Sequence, residues 1–163
     1  MTEALVMERE RALEICDRVL GASFAEETEV NLLAANSALT RFANNHIHQS
    51  VAEVDTHVLV RAANGRRVGV ASTNDTTESG LRDVAERACT LADAVSPDEH
   101  FPGLPTPGDE PAPLHGSPET AAFGPDERPQ AVREPIDLAR ERGQIAAGAC
   151  SADVMAHAIA NSS

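Results

Sequence analysis

The stretch Leu39–Asn74, LTRFANNHIHQSVAEVDTHVLVRAANGRRVGVASTN, decides the fold of this chain. From His46 on, Ile47, Gln49 and Val51 fall on one side of an extended run, with Val54, Thr56, Val58 and Val60 on the other. This is the two-residue period of a strand. The apolar side changes between Val51 and Val54, which predicts a bulge or strong twist there. Asn64-Gly65, between VLVRAA and RRVGVAST, predicts a β-hairpin with a type I′ turn, because both residues tolerate positive φ. Asn44-Asn45 marks a turn at the other end of the run. Gly69 lies inside the return strand and predicts close approach of another backbone.

The flanks complete an α+β pattern. Upstream, residues 4–20 form an amphipathic helix with Ala12, Leu13, Cys16, Val19 and Leu20 on one stripe, and Gly21 stands at the expected C-cap. Val30, Leu32 and Ala34 then alternate as a half-buried strand, Asn36-Ser37 predicts a turn, and Leu39–Ala43 a short strand. Downstream, Leu81, Val84, Ala85, Ala88, Leu91, Ala92 and Val95 keep helical period over residues 76–95, and Asp75 and Glu78 have capping-box spacing. Helix, sheet and helix point to an antiparallel sheet with a long hairpin, packed by two amphipathic helices.

At Ser96 the composition changes. All ten prolines lie between Pro97 and Pro135. FPGLPTPGDEPAPLHGSPE lacks the backbone donors for regular structure at those positions and reads as a linker or crossing segment. A short helix, IDLARERG, follows Pro135 and ends at Gly143; IAAGAC and VMAHAIANS then read as two small-residue strands around Ser151–Asp153. The expected organisation is a helix-sheet-helix domain at 1–96, a Pro-rich acidic linker at 97–134, and at 135–163 the start of a following, interrupted part.

The composition narrows the function. The chain has 163 residues, a formal charge of -13 and no lysine. Tryptophan and tyrosine are absent and phenylalanine occurs four times, so the core must come from Leu, Val, Ile and Ala. A strongly acidic chain repels a phosphate backbone, which argues against general nucleic-acid binding. The central stretch is the exception, with Arg41, Arg61, Arg66 and Arg67 against Glu53 and Asp55 between residues 30 and 74. Cys16, Cys89 and Cys150 are far apart and lack CxxC spacing, which disfavours a disulfide framework or zinc ribbon. The charged start shows no signal peptide, and no apolar run has membrane-spanning length. A soluble cytoplasmic protein is the expectation.

No complete catalytic constellation is present: there is no phosphate loop, Rossmann glycine pattern, nucleophile elbow or zinc-binding His-Glu-x-x-His helix. His46 and His48 alternate by two, so a strand sends both side chains to one face, roughly 7 Å apart. Such a pair can reach one metal ion, but the third ligand must come from elsewhere, and His57 has the wrong parity unless a bulge intervenes. Solvent-facing or peptide-contacting histidines are the plainer reading. Arg41, Asn44, Asn45, His48 and Gln49 form a dense polar cluster at a turn. A hydrated turn accounts for it, and so does a set of donors lining a cleft for a peptide or partner strand. Arg66-Arg67 reads as a charged edge that blocks sheet-to-sheet aggregation.

The succession RFANNHIHQ, VLVRAANGRRVGVASTN, LRDVAERACTLADAV, FPGLP and AAGACSADVMAHAIANSS resembles the amino-terminal region of the TldD/PmbA family over nearly the full length, most weakly between Asp109 and Arg133. The resemblance implies a cytoplasmic zinc metallopeptidase family, once described as modulators of DNA gyrase. Its members work as homo- or heterodimers that cleave unfolded or extended peptides. Their zinc site, a His-Glu-x-x-x-His helix plus a later Cys, lies beyond the region resembled. No residue here matches it, so zinc is implied for a complete member and no catalytic or metal residue is carried over. The chain resembles about the first third of a member. The expectation is therefore a non-catalytic scaffold and substrate channel, inactive alone. The alternatives are a subunit-pairing module and a small His-based metal-binding protein.

Overall fold

The computed structural model describes residues 7–106 and 116–162. Helix α1 (Arg9–Ala22) is followed by strands β1 (Glu27–Ala43), β2 (His46–Asn64) and β3 (Arg67–Thr73) and by helix α2 (Glu78–Ala94). After the Pro-rich segment come a single turn of helix, α3 (Pro118–Ala121), then α4 (Glu127–Glu141) and β4 (Gly148–Asn161). The four strands make one sheet in the order β3-β2-β1-β4. The fold is α+β with an antiparallel sheet packed by helices. Among the described residues no helix is long and apolar enough to cross a membrane.

The chain packs as two units. Of the described residues, one unit, here the base unit, holds 7–34, 55–106 and 156–162; the other, the tip unit, holds 35–54 and 116–155. In the base unit, Val30, Leu32 and Ala34 of β1 and Val58, Val60 and Ala62 of β2 are buried, as are Ile15, Cys16 and Val19 of α1 and Leu81, Val84, Ala85, Ala88 and Cys89 of α2. Each fully buried Val, Leu or Ile contributes about 1.5–3 kcal/mol, so these side chains carry most of the unit's stability. Ile15 joins Cys16 and Val19 in the core, whereas Leu13, on the expected stripe, is 39% exposed.

Gly69 explains how α2 is seated. A Cβ there would overlap the Ala88 carbonyl oxygen and the Ala92 amide nitrogen, so β3 and α2 approach closely enough to exclude a side chain. The close approach expected from the sequence is present. α2 starts at Thr77, whose Oγ1 accepts from Gly80 N at 3.2 Å. Asp75 serves one step earlier: its Oδ1 accepts from Thr77 N at 2.9 Å, and bonds from Thr77 hold its carboxyl below the usual carboxylate range.

Several boundaries differ from the sequence reading for local reasons. β1 runs unbroken through Asn36-Ser37, because Ala34, Ala38, Thr40 and Phe42 keep one buried face across it. β4 likewise runs through Ser151–Asp153 as one strand instead of two. α1 extends past Gly21 to Ala22, with Ser23 as its cap. The part of the first expected helix before residue 7 lies outside the described residues, as does the Pro-rich run at 107–115 with His115. α4 begins at Glu127, well before Pro135, which it carries inside.

Both hairpin turns are two residues long, and the type I′ geometry expected at Asn64-Gly65 occurs at the other turn. Asn44 (φ 51°) and Asn45 (φ 61°) both have positive φ, the type I′ condition, without glycine. At the second turn Asn64 pairs with Arg67, so the loop residues are Gly65 and Arg66. Only Gly65 has positive φ (59°), the type II′ pattern. Asn64 stays in the strand because its amide is a clip: Oδ1 accepts from Glu26 N at 2.9 Å and Nδ2 donates to Asp93 Oδ1 at 2.6 Å.

In the tip unit, Phe42, Val132 and Ile136 form the core, with Ile47, Ala146 and Cys150 packed against it. The buried stripe of α4 continues to Arg128, 3% exposed, whose Nη1 donates weakly to the Phe123 carbonyl at 3.4 Å while its Nε has no partner. Phe42 and Ile47 share a cluster, as a two-residue turn at Asn44-Asn45 requires. Thr40 Oγ1 instead lies 3.1 Å from Ser50 Oγ, one residue beyond the partner that strict pairing gives it.

Candidate functional site

The turn at Asn44-Asn45 gathers the five candidate residues but gives them different tasks. Asn45 is committed to structure. Its amide N donates to the Ala146 carbonyl at 3.2 Å, Oδ1 accepts from Ala146 N at 2.7 Å, and Nδ2 donates to the Gln144 carbonyl at 2.9 Å. Its own carbonyl accepts from the Arg140 guanidinium. Three bonds thus tie the turn to the link between α4 and β4, and a fourth ties it to α4 itself.

Asn44 is exposed, and its carbonyl accepts from His46 Nδ1 at 2.7 Å. That bond puts the imidazole proton on Nδ1 and leaves Nε2 as an acceptor. Arg41 and His48 are exposed, and Gln49 is half-buried. Phe42 and Ile47 pack with Val132 and Ile136 of α4, so strand alternation puts Arg41 and His48 on the opposite face. Asn45 is bonded to Arg140 of α4 and to Gln144 and Ala146 beyond it.

The sequence reading missed the partners of this turn. Gln144, Ala146 and Arg140 lie 95 to 101 residues further along the chain. α4 ends in a Schellman arrangement, with Gly143 N donating to the Arg140 carbonyl at 3.0 Å and Gln144 N to the Ala139 carbonyl at 2.8 Å. Gly143 (φ 65°) was the one visible signal: it marks where the helix stops and the chain turns back toward Asn45.

Beside the turn is an open cavity of about 200 Å³ lined by Asn45, His46 and Ile47 of the hairpin and by Arg133, Ile136, Asp137 and Arg140 of α4. Arg140 donates to Asp137 Oδ1 at 3.1 Å as well as to the Asn45 carbonyl. A second cavity, about 450 Å³, lies in the base unit and is lined by Arg18, Gly21, Ala22, Glu78, Leu81 and Arg82. Its arginines are already paired, Arg18 with Glu14 and Arg82 with Glu78.

Among the described residues no three His, Cys, Asp or Glu side chains are placed to hold a metal. His46 spends Nδ1 on its own turn, and His157 Nε2 lies 2.8 Å from Asn31 Oδ1. The cysteines are free; Cys16 and Cys89 are buried, and burial, helped by Asp17, pushes the Cys16 thiol up to about 11.

Comparison with known proteins gives a consistent result. Residues 28–92 match the model of PmbA/TldA metallopeptidase domain 1. Among solved structures, TldE from Thermococcus kodakarensis superposes with a TM-score of 0.80 at 21% identity, over 93% of this chain and 34% of that one. A candidate modulator of DNA gyrase from Thermotoga maritima gives 0.69 at 16% identity, over 93% and 35%. Another from Bacteroides thetaiotaomicron gives 0.63 at 13% identity, over 94% and 39%. No curated protein sequence matches the chain. At these identities the structures speak for the fold, and this chain spans little more than a third of their length. Residues 28–92, from β1 to α2, thus match the first domain of the PmbA/TldA metallopeptidase family, and the chain shares the fold of these solved structures.

Proposed function

We propose that this chain is the non-catalytic amino-terminal part of a TldD/PmbA-type metallopeptidase acting on unfolded peptides, where it serves as scaffold and lines the substrate path. The observation that carries this reading is the domain-one match over residues 28–92, joined to a fold that covers 93% of this chain but 34% of TldE. A zinc peptidase needs a metal to polarise the carbonyl and activate water, and a surface that holds the peptide extended beside it. An exposed strand edge or hairpin supplies the second requirement through main-chain bonds with little sequence preference. Arg41, Asn44, Asn45, His48 and Gln49 are the residues proposed to line that path, with zinc bound elsewhere in the complete enzyme.

The test is made in a complete homologue. Changing the equivalents of Arg41 and His48, two exposed members of the set, to Ala is expected to lower cleavage of an unfolded peptide by about tenfold, mostly through KM, because a binding contact is lost. Unchanged cleavage would end the reading.

A second reading is supported by β4. It is an edge strand of 14 residues, GACSADVMAHAIAN, containing no Lys, Arg or Pro, with Met155 63% and Ile159 58% exposed. An unguarded edge of this kind favours pairing with another subunit. Under that reading the chain is a subunit-pairing module of a dimeric assembly, and its mass in solution would rise with concentration.

A further inference from the structure

We infer that the cavity between the Asn44-Asn45 turn and α4 binds a carboxylate carried by a peptide, with Arg133 as the recognising group. The site rests on four observations within the tip unit. First, two arginines seven residues apart on α4, Arg133 and Arg140, line the same cavity of about 200 Å³, which suits a single small residue. Second, Arg140 is held in place by Asp137 and by the Asn45 carbonyl, and Asn45 is itself fixed by Ala146 and Gln144. The wall is pre-organised, so little ordering cost falls on a ligand. Third, Arg133 is exposed and has no ion pair or hydrogen bond to its side chain among the described residues, in a chain where acids outnumber arginines 26 to 13. An uncommitted guanidinium presents two parallel donors matched to a carboxylate. Fourth, Ile47 and Ile136 give the cavity an apolar side beside the cation, so an aliphatic residue and its charge are accommodated together.

Charge decides between ligand signs. Asp137 is the one acid lining the cavity and already accepts from Arg140, so two guanidinium groups face one carboxylate and the local excess is positive. A cationic side chain would meet Arg133 unshielded.

This inference deepens the peptide-path reading, but it is tested by binding to this chain, so the two can fail separately. The probes are acetyl-dialanine with a free carboxylate, its C-terminal amide, acetyl-alanyl-glutamate diamide, in which the side-chain acid is also blocked, and the same compound with that acid free. Binding is followed by nitrogen-15 NMR at the Asn45 side chain and Arg133 Nε. A probe with a free carboxylate is expected to bind at least about tenfold more tightly than its amide. Arg133→Gln is expected to abolish that difference, and Arg133→Lys to restore part of it, with circular dichroism unchanged. Preference for the terminal acid or for the side-chain acid identifies the source of the carboxylate, and either supports the site. Equal binding of acid and amide overturns it. So does insensitivity to Arg133→Gln, acetate binding as tightly as the peptides, or no response from any probe up to about 20 mM.

Discussion

Gly69 and Cys16 show how much a single position can carry in a core this poor in aromatics. Gly69→Ala would drive a methyl into the backbone of α2 at Ala88 and Ala92. Backbone atoms cannot swing aside as a side-chain end can, so the helix must lift from β3. The expected cost is about 3 kcal/mol, read from the urea midpoint of the variant against the parent. Cys16 makes the fold sensitive to alkali. Its thiol is held protonated up to about 11 in the folded chain, against 9.0 when exposed. Below pH 9 neither state ionises and the thiol has no effect. Between 9 and 11 the unfolded chain loses the proton while the folded chain keeps it, so stability falls with rising pH, by about 2 kcal/mol in all. Melting curves from pH 8 to 11 should show this slope, and Cys16→Ala should flatten it. An identical slope in the variant would assign the loss to other groups. The sequence made Gly69 legible, because a glycine inside a strand has few other reasons. It made the burial of Arg128 illegible, since nothing local distinguishes that arginine from an exposed one.

At the scale of elements, the two hairpin turns test whether backbone conformation or side-chain bonding dominates. Both Asn44 and Asn45 hold positive φ, which glycine also adopts readily. Asn44 bonds its neighbour through its backbone carbonyl, a group glycine keeps. Asn44→Gly should therefore be neutral within about 0.5 kcal/mol. Asn45→Gly removes the side-chain bonds to Ala146 N and the Gln144 carbonyl, and should cost about 2 kcal/mol. Equal effects in chemical denaturation would mean that the turn conformation alone matters. The element pattern was largely legible. Alternation marked β1, β2 and β3, and helical period marked α1 and α2. What was misread was punctuation: Asn36-Ser37 looks like a turn but lies within a strand whose Ala34, Ala38 and Thr40 are buried. Asn64 looks like a turn residue but is held in the strand by Glu26 and Asp93. In each case tertiary partners outweighed local preference.

For the whole molecule, the charge of -13 is the dominant global property. The ion pairs Arg11–Glu14, Arg18–Glu14, Arg82–Glu78 and Arg140–Asp137 are exposed and local to their helices, so each contributes little. General self-repulsion should outweigh them. Raising NaCl from about 0.05 to about 0.5 M should raise Tm by a few degrees, because screening shortens the range of repulsion. A fall in Tm would show instead that the ion pairs dominate.

The sequence by itself determined the class of this protein: the antiparallel hairpin, the two helices that cover it, the absence of a zinc motif and the family resemblance. These follow from periodicity and from short motifs, which are local and survive without knowledge of what packs where. Only the tertiary structure decided the surroundings of the Asn44-Asn45 turn. There, Arg140, Gln144 and Ala146 arrive from about a hundred residues away, and Arg133 and Ile136 complete the cavity wall. The physical reason is that a site assembled across the chain depends on long-range hydrogen bonds and packing, and no local preference encodes their partners. His46 and His48 are the counterpart. They stand out in the sequence, yet one spends a ring nitrogen on its own turn and the other is exposed.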